Sequence, residues 1–343
     1  HETYIDPFLF AIFLPFELQF VTTADVFTTP LTRLMLKGIG TFPMRRHRQD
    51  LKSIRTMIRM LKQGRVVGIF PEGGRCVDGT PLPILKETLK LIQHSKVPIL
   101  PVHIDGAYEI WPRWAPNRRR GNVSTSFKPV IPVDDQTDLS ELESNIKDAI
   151  FVSPKTFRPV KTSNLTKGLD NFLWACCECH THNSMVVIST TQIECKHCGL
   201  QWHMANDYTL TQVDSNRTHT LPTWMEQIDS RALEYSPEFT MDSILTNEER
   251  PHLYSSLDRY VTEDGTEINS DISLLLTDQY IHLLHQGQKA ESWILKSVTI
   301  FTLDYNNAVS IGVGGLRHKF YLPKTEITLK WQVYFEALQV KLA

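Results

Sequence analysis

Apolar residues recur along the first part of the chain in two alternating rhythms. Leu51, Ile54, Ile58 and Leu61 fall three or four apart with Lys52, Arg55, Arg59 and Lys62 between them, which predicts an amphipathic helix that Gly64 closes. Residues 66–70, Val-Val-Gly-Ile-Phe, then make a short continuous apolar run and predict a buried strand. Residues 82–94 predict a second helix, residues 99–104 and 123–130 two more strands, and residues 139–150 a short amphipathic helix. Such alternation predicts an α/β fold, a mixed sheet flanked by helices, with ligands at the carboxyl ends of its strands. Phe70 ends one such strand, so residues 72–75 fall where a ligand is expected.

The rhythm changes further on. Residues 153–168 are rich in Pro, Lys, Ser and Thr and read as a linker, residues 171–210 hold a cysteine module, and residues 214–222 read as a second linker. Beyond them, residues 273–277 and 280–285 predict strands about a tight turn at Asp278 and Gln279. Residues 298–303, 309–313 and 319–322 predict three more, with Gly312, Gly314 and Gly315 at bends. Ile327, Trp331, Tyr334, Phe335 and Leu338 then recur at helical spacing and predict a closing amphipathic helix. Three domains are expected: 1–152 (α/β), 169–212 (cysteine module) and 223–343 (a small β-rich domain with a C-terminal helix). There is no internal repeat and no low-complexity tract.

Composition narrows the function class. A chain of 343 residues is long enough for two or three domains. With 36 basic against 38 acidic residues, nothing global points to nucleic acid, although residues 45–48 and 118–120 are local basic runs. Five of the six cysteines lie between 176 and 198, which favours a metal site in a reducing compartment over a disulfide framework. The chain opens on His1 rather than Met, so further residues are expected upstream. The longest apolar run in its N-terminal part, residues 8–14, is broken by Pro15 and Glu17. It falls well short of the roughly 20 residues that span a bilayer, so any spanning segment would lie upstream.

His1 and Asp6 form a His-x4-Asp pair, and Phe70-Pro71-Glu72-Gly73-Gly74-Arg75 follows. An alcohol is a poor nucleophile at neutral pH and needs a positioned base, for which His is suited by its pKa near 6.5. Asp6 would hold the correct tautomer. Arg75 offers a planar fork for a phosphate, and Gly73 and Gly74 let the backbone approach closely. No protein nucleophile is required where the acceptor supplies the hydroxyl. Cys76 reads as a small Ser-like residue rather than a reactive thiol, and His103, inside an apolar run, as structural rather than as a second base.

Four blocks in order carry a family resemblance. They are His1 to Asp6; Gly40-Thr41-Phe42-Pro43-Met44-Arg45-Arg46; Phe70 to Cys76; and Val97-Pro98-Ile99-Leu100-Pro101-Val102. Through them the first 135 or so residues resemble the glycerolipid acyltransferases typified by 1-acyl-glycerol-3-phosphate acyltransferase. The resemblance implies that His1 and Asp6 are catalytic and that Arg46 and Arg75 share the acceptor phosphate, with Glu72 helping to hold the acceptor. Gly74 and Cys76 stand where the family commonly has Thr and Ser. Thr23 stands near a common Lys, which leaves the acceptor's identity open.

Cys176-x2-Cys179, fifteen residues, then Cys195-x2-Cys198 matches the spacing of a four-cysteine zinc ribbon, with iron as the competing ion. Four thiolates close the shell, so the zinc is structural, a staple for a module too small to build its own core. Cys177 is spare. His180, His182, His197 and His203 are unneeded as ligands, and Trp174 and Trp202 pack around the ribbon rather than face a partner. The strands and closing helix of 223–343 resemble a pleckstrin-homology-like or GRAM-like domain in pattern alone.

Together these readings lead to an enzyme that moves a fatty acyl group from acyl-CoA or acyl-carrier protein to the hydroxyl of lysophosphatidic acid, giving phosphatidic acid for phospholipid synthesis. Glycerol-3-phosphate, other lysophospholipids and a lyso-aminolipid are alternative acceptors. The expected setting is a membrane's cytoplasmic face. The basic helix 51–62 and residues 111–120 are possible headgroup contacts, although an ordinary packed surface is the simpler reading of that helix. The contrasting reading is a catalytically degenerate protein that binds lipid or protein through the ribbon and the β domain; no nucleic-acid partner is expected.

Overall fold

The computed structural model describes residues 1–23, 41–44, 51–151, 157–234, 245, 249–262, 264–304 and 307–342. The chain divides into two compact units, residues 1–165 with 205–209, and residues 166–204 with 210–342.

In the first unit, α1 (Asp6–Ala11) leads into β1 (Leu18–Thr23). β1 pairs in parallel with β2 (Phe42–Met44) on one side and β3 (Val66–Gly68) on the other. The expected strand 66–70 therefore ends at Gly68, and the chain turns away through residues 71–76, past the carboxyl end of a parallel strand. Between β2 and β3 lies α2 (Leu51–Lys62). It buries Ser53 and Met57 and exposes Arg55, Arg59 and Lys62, as an amphipathic surface helix does. Gly64 closes it in the left-handed region, at φ 74°.

The second expected helix starts late. α3 spans Lys86–Ser95, not 82–94, because Leu85 is extended and the Leu82 amide is turned to a side chain of the site below. The strand expected at 99–104 shifts to β4 (Val102–Asp105), which runs antiparallel to β5 (Ser124–Phe127). Pro98 and Pro101 lack amide donors, so Ile99 makes only an isolated bridge to Ile131. After the one-turn α4 (Ala107–Ile110), α5 (Leu139–Ile150) matches its expected span, started by Asp138, whose side chain accepts from the amides of Ser140 and Glu141. Ile84, Leu89, Ile92, Val133, Leu142 and Ile146 form the core beneath these elements.

The second unit begins with the cysteine module. β6 (Met185–Val187), β7 (Gln192–Cys195), β8 (Gln201–Met204), β9 (Leu210–Gln212) and β10 (Thr218–His219) make an antiparallel sheet in chain order. Residues 214–222, expected as a linker, instead carry β10 and the start of α6 (Leu221–Asp229), which Thr220 and Thr223 begin with a reciprocal capping box.

Beyond α6, β11 (Pro251–Ser256), β14 (Ile272–Thr277), β15 (Tyr280–His285) and β16 (Gln288–Ile294) form one sheet. β12 (Arg259–Thr262), β13 (Glu267–Ile268), β17 (Val298–Asp304), β18 (Ala308–Val313) and β19 (Leu316–Tyr321) form another. α7 (Leu329–Leu342) closes the chain with Trp331, Tyr334, Phe335 and Leu338 buried, Phe335 stacking on Phe301 at 4.3 Å.

Candidate functional site

His1 lies just before α1, and its ring stacks on Phe70 with centroids 4.0 Å apart. Its Nδ1 sits 2.8 Å from Asp6 Oδ2. Asp6 is 1% exposed, and its carboxylate also accepts from the amides of Glu2 (2.6 Å) and Thr3 (3.0 Å) and from the Thr3 hydroxyl. A buried carboxylate ringed by donors from its own loop cannot rotate freely, so the imidazole it holds is fixed as well.

The loop after β3 is laced to the same residues. The Cys76 amide donates to the His1 carbonyl at 2.8 Å, and the main-chain nitrogen of His1 donates to Glu72 Oε2. Glu72 Oε1 accepts from the Leu82 amide at 3.2 Å. Burial pushes the Glu72 carboxyl up. The Glu72 carboxylate therefore fastens two loops together through groups of the chain itself. Gly73 makes the turn possible: it adopts φ 65°, and its amide donates to the Phe70 carbonyl at 3.0 Å.

Arg75 packs against Tyr4. The guanidinium carbon lies 3.6 Å from the ring centroid, and Nη2 is 2.6 Å from the Tyr4 hydroxyl. Burial lowers the Arg75 pKa to about 10, which leaves it charged at neutral pH. Tyr4 meets Trp111 edge-on at 6.0 Å, and the Arg118 guanidinium lies 5.2 Å from the Trp111 ring. Trp114 is instead buried under Arg119. Tyr108 is fully buried; its amide donates to Glu2 at 2.7 Å, and burial drives its hydroxyl pKa far up.

A cavity of about 710 Å³ runs from His1, Asp6, Glu72 and Cys76 along apolar walls that include Leu61, Leu91, Ile104 and Ile150. That is an ordinary volume for a small-molecule or lipid-chain site. Cys76 is 1% exposed, as a small packed residue would be, and His103 lines the wall from β4. Of the expected site residues, the structure brings His1, Asp6, Glu72 and Gly73 into one cluster, with Arg75 on Tyr4 beside it. Arg46 and the rest of the basic run 45–48 lie outside the described residues. Pattern reading missed Thr3, Tyr4 and Tyr108. Tyr4 alone carried a signal, as an aromatic inside the His-x4-Asp block that a nearby Arg can stack on.

In the second unit the Sγ atoms of Cys176, Cys179, Cys195 and Cys198 all lie within 4.8 Å of one another, with Cys176–Cys198 at 3.9 Å and Cys179–Cys195 at 3.5 Å. Thiolates around a tetrahedral zinc are ~3.8 Å apart, given Zn–S bonds of ~2.3 Å, so the four residues fit that ion. The two knuckles are built alike. The amide four residues after the first cysteine of each pair, His180 or Gly199, donates back to that cysteine's carbonyl at 3.0 or 2.8 Å. Both corner residues are left-handed, at φ 61° and 74°. Trp174 and Trp202 are fully buried, Trp174 donating to Asp229 and Trp202 packing edge-on to Trp224.

Comparison with known proteins finds relatives of the first part of the chain. The acyltransferase family model matches residues 1–105. The 1-acyl-sn-glycerol-3-phosphate acyltransferase of Bacillus subtilis (strain 168) is 30% identical over 107 residues, covering 31% of this chain and 53% of the relative. A chloroplastic enzyme of the same name from Brassica napus is 25% identical over 114 residues, 33% of each chain. The crystal structure of the 1-acyl-sn-glycerophosphate acyltransferase of Thermotoga maritima covers 44% of this chain and 60% of that one, at 22% identity and a TM-score of 0.39. The chain thus matches about half, or less, of the length of these curated relatives. Residues 1–105 are an acyltransferase domain.

Proposed function

We propose that the protein esterifies lysophosphatidic acid to phosphatidic acid, taking the acyl group from acyl-CoA or acyl-carrier protein. The observation that carries this reading is the His1–Asp6 pair, 2.8 Å apart, at the polar end of an apolar cavity. Because Nδ1 is engaged by Asp6, Nε2 of His1 is left to take the acceptor's hydroxyl proton. The alkoxide oxygen forms the new ester bond to the thioester carbon. The carbon–sulfur bond breaks, and the departing sulfur receives the proton from His1. Arg75, charged and braced by Tyr4, receives the acceptor phosphate, with Arg46 assigned to the same phosphate by resemblance alone. The apolar cavity takes the acyl chain.

The acceptor and product are membrane lipids, so the reading sets the protein at the cytoplasmic face of a membrane. Phe8, Ile12, Phe13 and Phe16, 46–74% exposed immediately after the catalytic loop, support access from a lipid surface. Among the described residues no helix is long and apolar enough to cross a membrane. Zinc in the four-cysteine site supplies structure, and residues 223–343 serve as a pleckstrin-homology-like or GRAM-like recruiting domain.

The test is turnover of labelled acyl-CoA or acyl-carrier protein with lysophosphatidic acid, glycerol-3-phosphate and a neutral lysolipid. Phosphatidic acid as the main product is expected. Equal use of the neutral lysolipid would contradict the phosphate role of Arg75.

A further inference from the structure

Cys177 stands inside the first knuckle yet belongs to none of its four zinc-binding positions. It is fully buried. Its Sγ, a carboxylate oxygen of Glu178 and a ring nitrogen of His219 all lie within 4.8 Å of one another. We propose that Cys177, Glu178 and His219 form a second metal site, for a divalent ion of zinc's class.

The donor chemistry fits that class. Thiolate, imidazole and carboxylate are the three protein ligand types that zinc takes, at ~2.0–2.3 Å. Their mixture disfavours magnesium and calcium, which want oxygen alone. Three protein ligands leave a fourth position for water, unlike the closed four-cysteine site.

The surroundings hold each ligand in place. Cys177 and Glu178 ride on a knuckle whose corner is fixed by the His180 amide on the Cys176 carbonyl, at 3.0 Å. α6 braces the same backbone: Trp224 Nε1 donates to the Ala175 carbonyl at 3.2 Å, and Gln227 Nε2 to the Cys177 carbonyl at 2.7 Å. His219 sits on β10, registered against Leu210, with Trp224 edge-on at 5.8 Å. Arg217 Nη1 lies 3.1 and 3.2 Å from the two Glu178 oxygens. An outer hydrogen bond of this kind commonly orients a ligating carboxylate. The site ties the edge strand and the start of α6 to the knuckle. Its competitor is a simple thiol contact, since Cys177 is also within hydrogen-bonding reach of Cys176.

The experiment is elemental analysis of the untagged full chain, dialysed into metal-free buffer and then re-equilibrated with a small excess of zinc. Wild type is expected to hold one zinc more per chain than either Cys177→Ser or His219→Gln. That difference reads the second site whatever the four-cysteine site holds. The half-buried His219 carries the test if Cys177→Ser does not fold. Equal zinc in wild type and His219→Gln, with His219→Gln folded, would overturn the proposal and leave Cys177 in a thiol contact with Cys176.

Discussion

At the scale of single residues, the site is two side chains held by two others. Asp6 fixes His1, and Tyr4 braces Arg75. Removing the base in His1→Ala should lower kcat by at least ~100-fold, the range of general acid–base catalysis, with an unchanged circular dichroism spectrum. Arg75→Ala should raise the acceptor KM by about 10-fold or more, since a charge-assisted hydrogen bond contributes about 1.5–3 kcal/mol. The donor KM should stay as it is. Tyr4→Phe keeps the ring under the guanidinium and loses only the hydroxyl, so the acceptor KM should rise by less, about 3- to 10-fold for a bond of about 1 kcal/mol. A donor-only effect in either variant would place Arg75 on the wrong substrate. The His-x4-Asp pair and Arg75 were legible because their chemistry is carried by residue type and order. Tyr4 was not, because its partner is 71 positions away and stacking leaves no periodic trace. Glu72 was legible as a site residue, but only the structure shows its carboxylate accepting from the main chain of His1 and Leu82.

At the scale of elements, legibility followed burial pattern. The helix at 139–150 was readable to its ends because Asp138 caps it and its apolar spacing is regular. β16 was not, because Gln288–Ile294 is largely exposed and shows no apolar alternation. The start of α6 hid in a segment read as a linker, since Pro222 and the threonines that start a helix also mark turns. One buried histidine and one half-buried histidine in the second unit give a pH prediction. Burial lowers both His182 and His252 to about 4, from an ordinary value near 6.5. Between those values the unfolded chain binds protons that the folded chain does not. Their contribution to stability is thus full above about pH 6.5 and is lost as pH falls toward 4. Urea midpoints measured from pH 7.5 to 5 should fall, and His252→Leu should flatten the slope. A slope that this variant leaves unchanged would remove His252 from the account. Neither ring nitrogen of His252 has a hydrogen-bond partner among the described residues. His252→Leu should therefore also raise stability at pH 7.5, by about 1 kcal/mol. In the knuckles, Gly199→Val forces a β-branched residue to φ 74° and should cost about 1–3 kcal/mol. Its midpoint in zinc-saturated buffer is the check.

At the scale of the whole molecule, one unit carries the acyltransferase domain and its cavity, and the other carries, among the described residues, the four-cysteine cluster and three antiparallel sheets. The cysteine spacing was legible because metal ligation fixes sequence intervals, whereas His219 lies 42 residues beyond Cys177 in the proposed second cluster, with no interval to mark it. A chelator that strips zinc should unfold the cysteine module, read as exposure of the buried Trp174 and Trp202 by fluorescence. A fluorescence spectrum that chelation leaves unchanged would deny the cluster a structural ion. The central claim is that His1 activates a lipid hydroxyl for acylation. The most direct measurement is the rate of phosphatidic acid formation from labelled acyl donor and lysophosphatidic acid in vesicles, compared between wild type and folded His1→Ala. The account predicts steady turnover by wild type and a loss of at least ~100-fold in the variant. Equal rates in the two proteins, or no turnover by wild type with either donor, would contradict it.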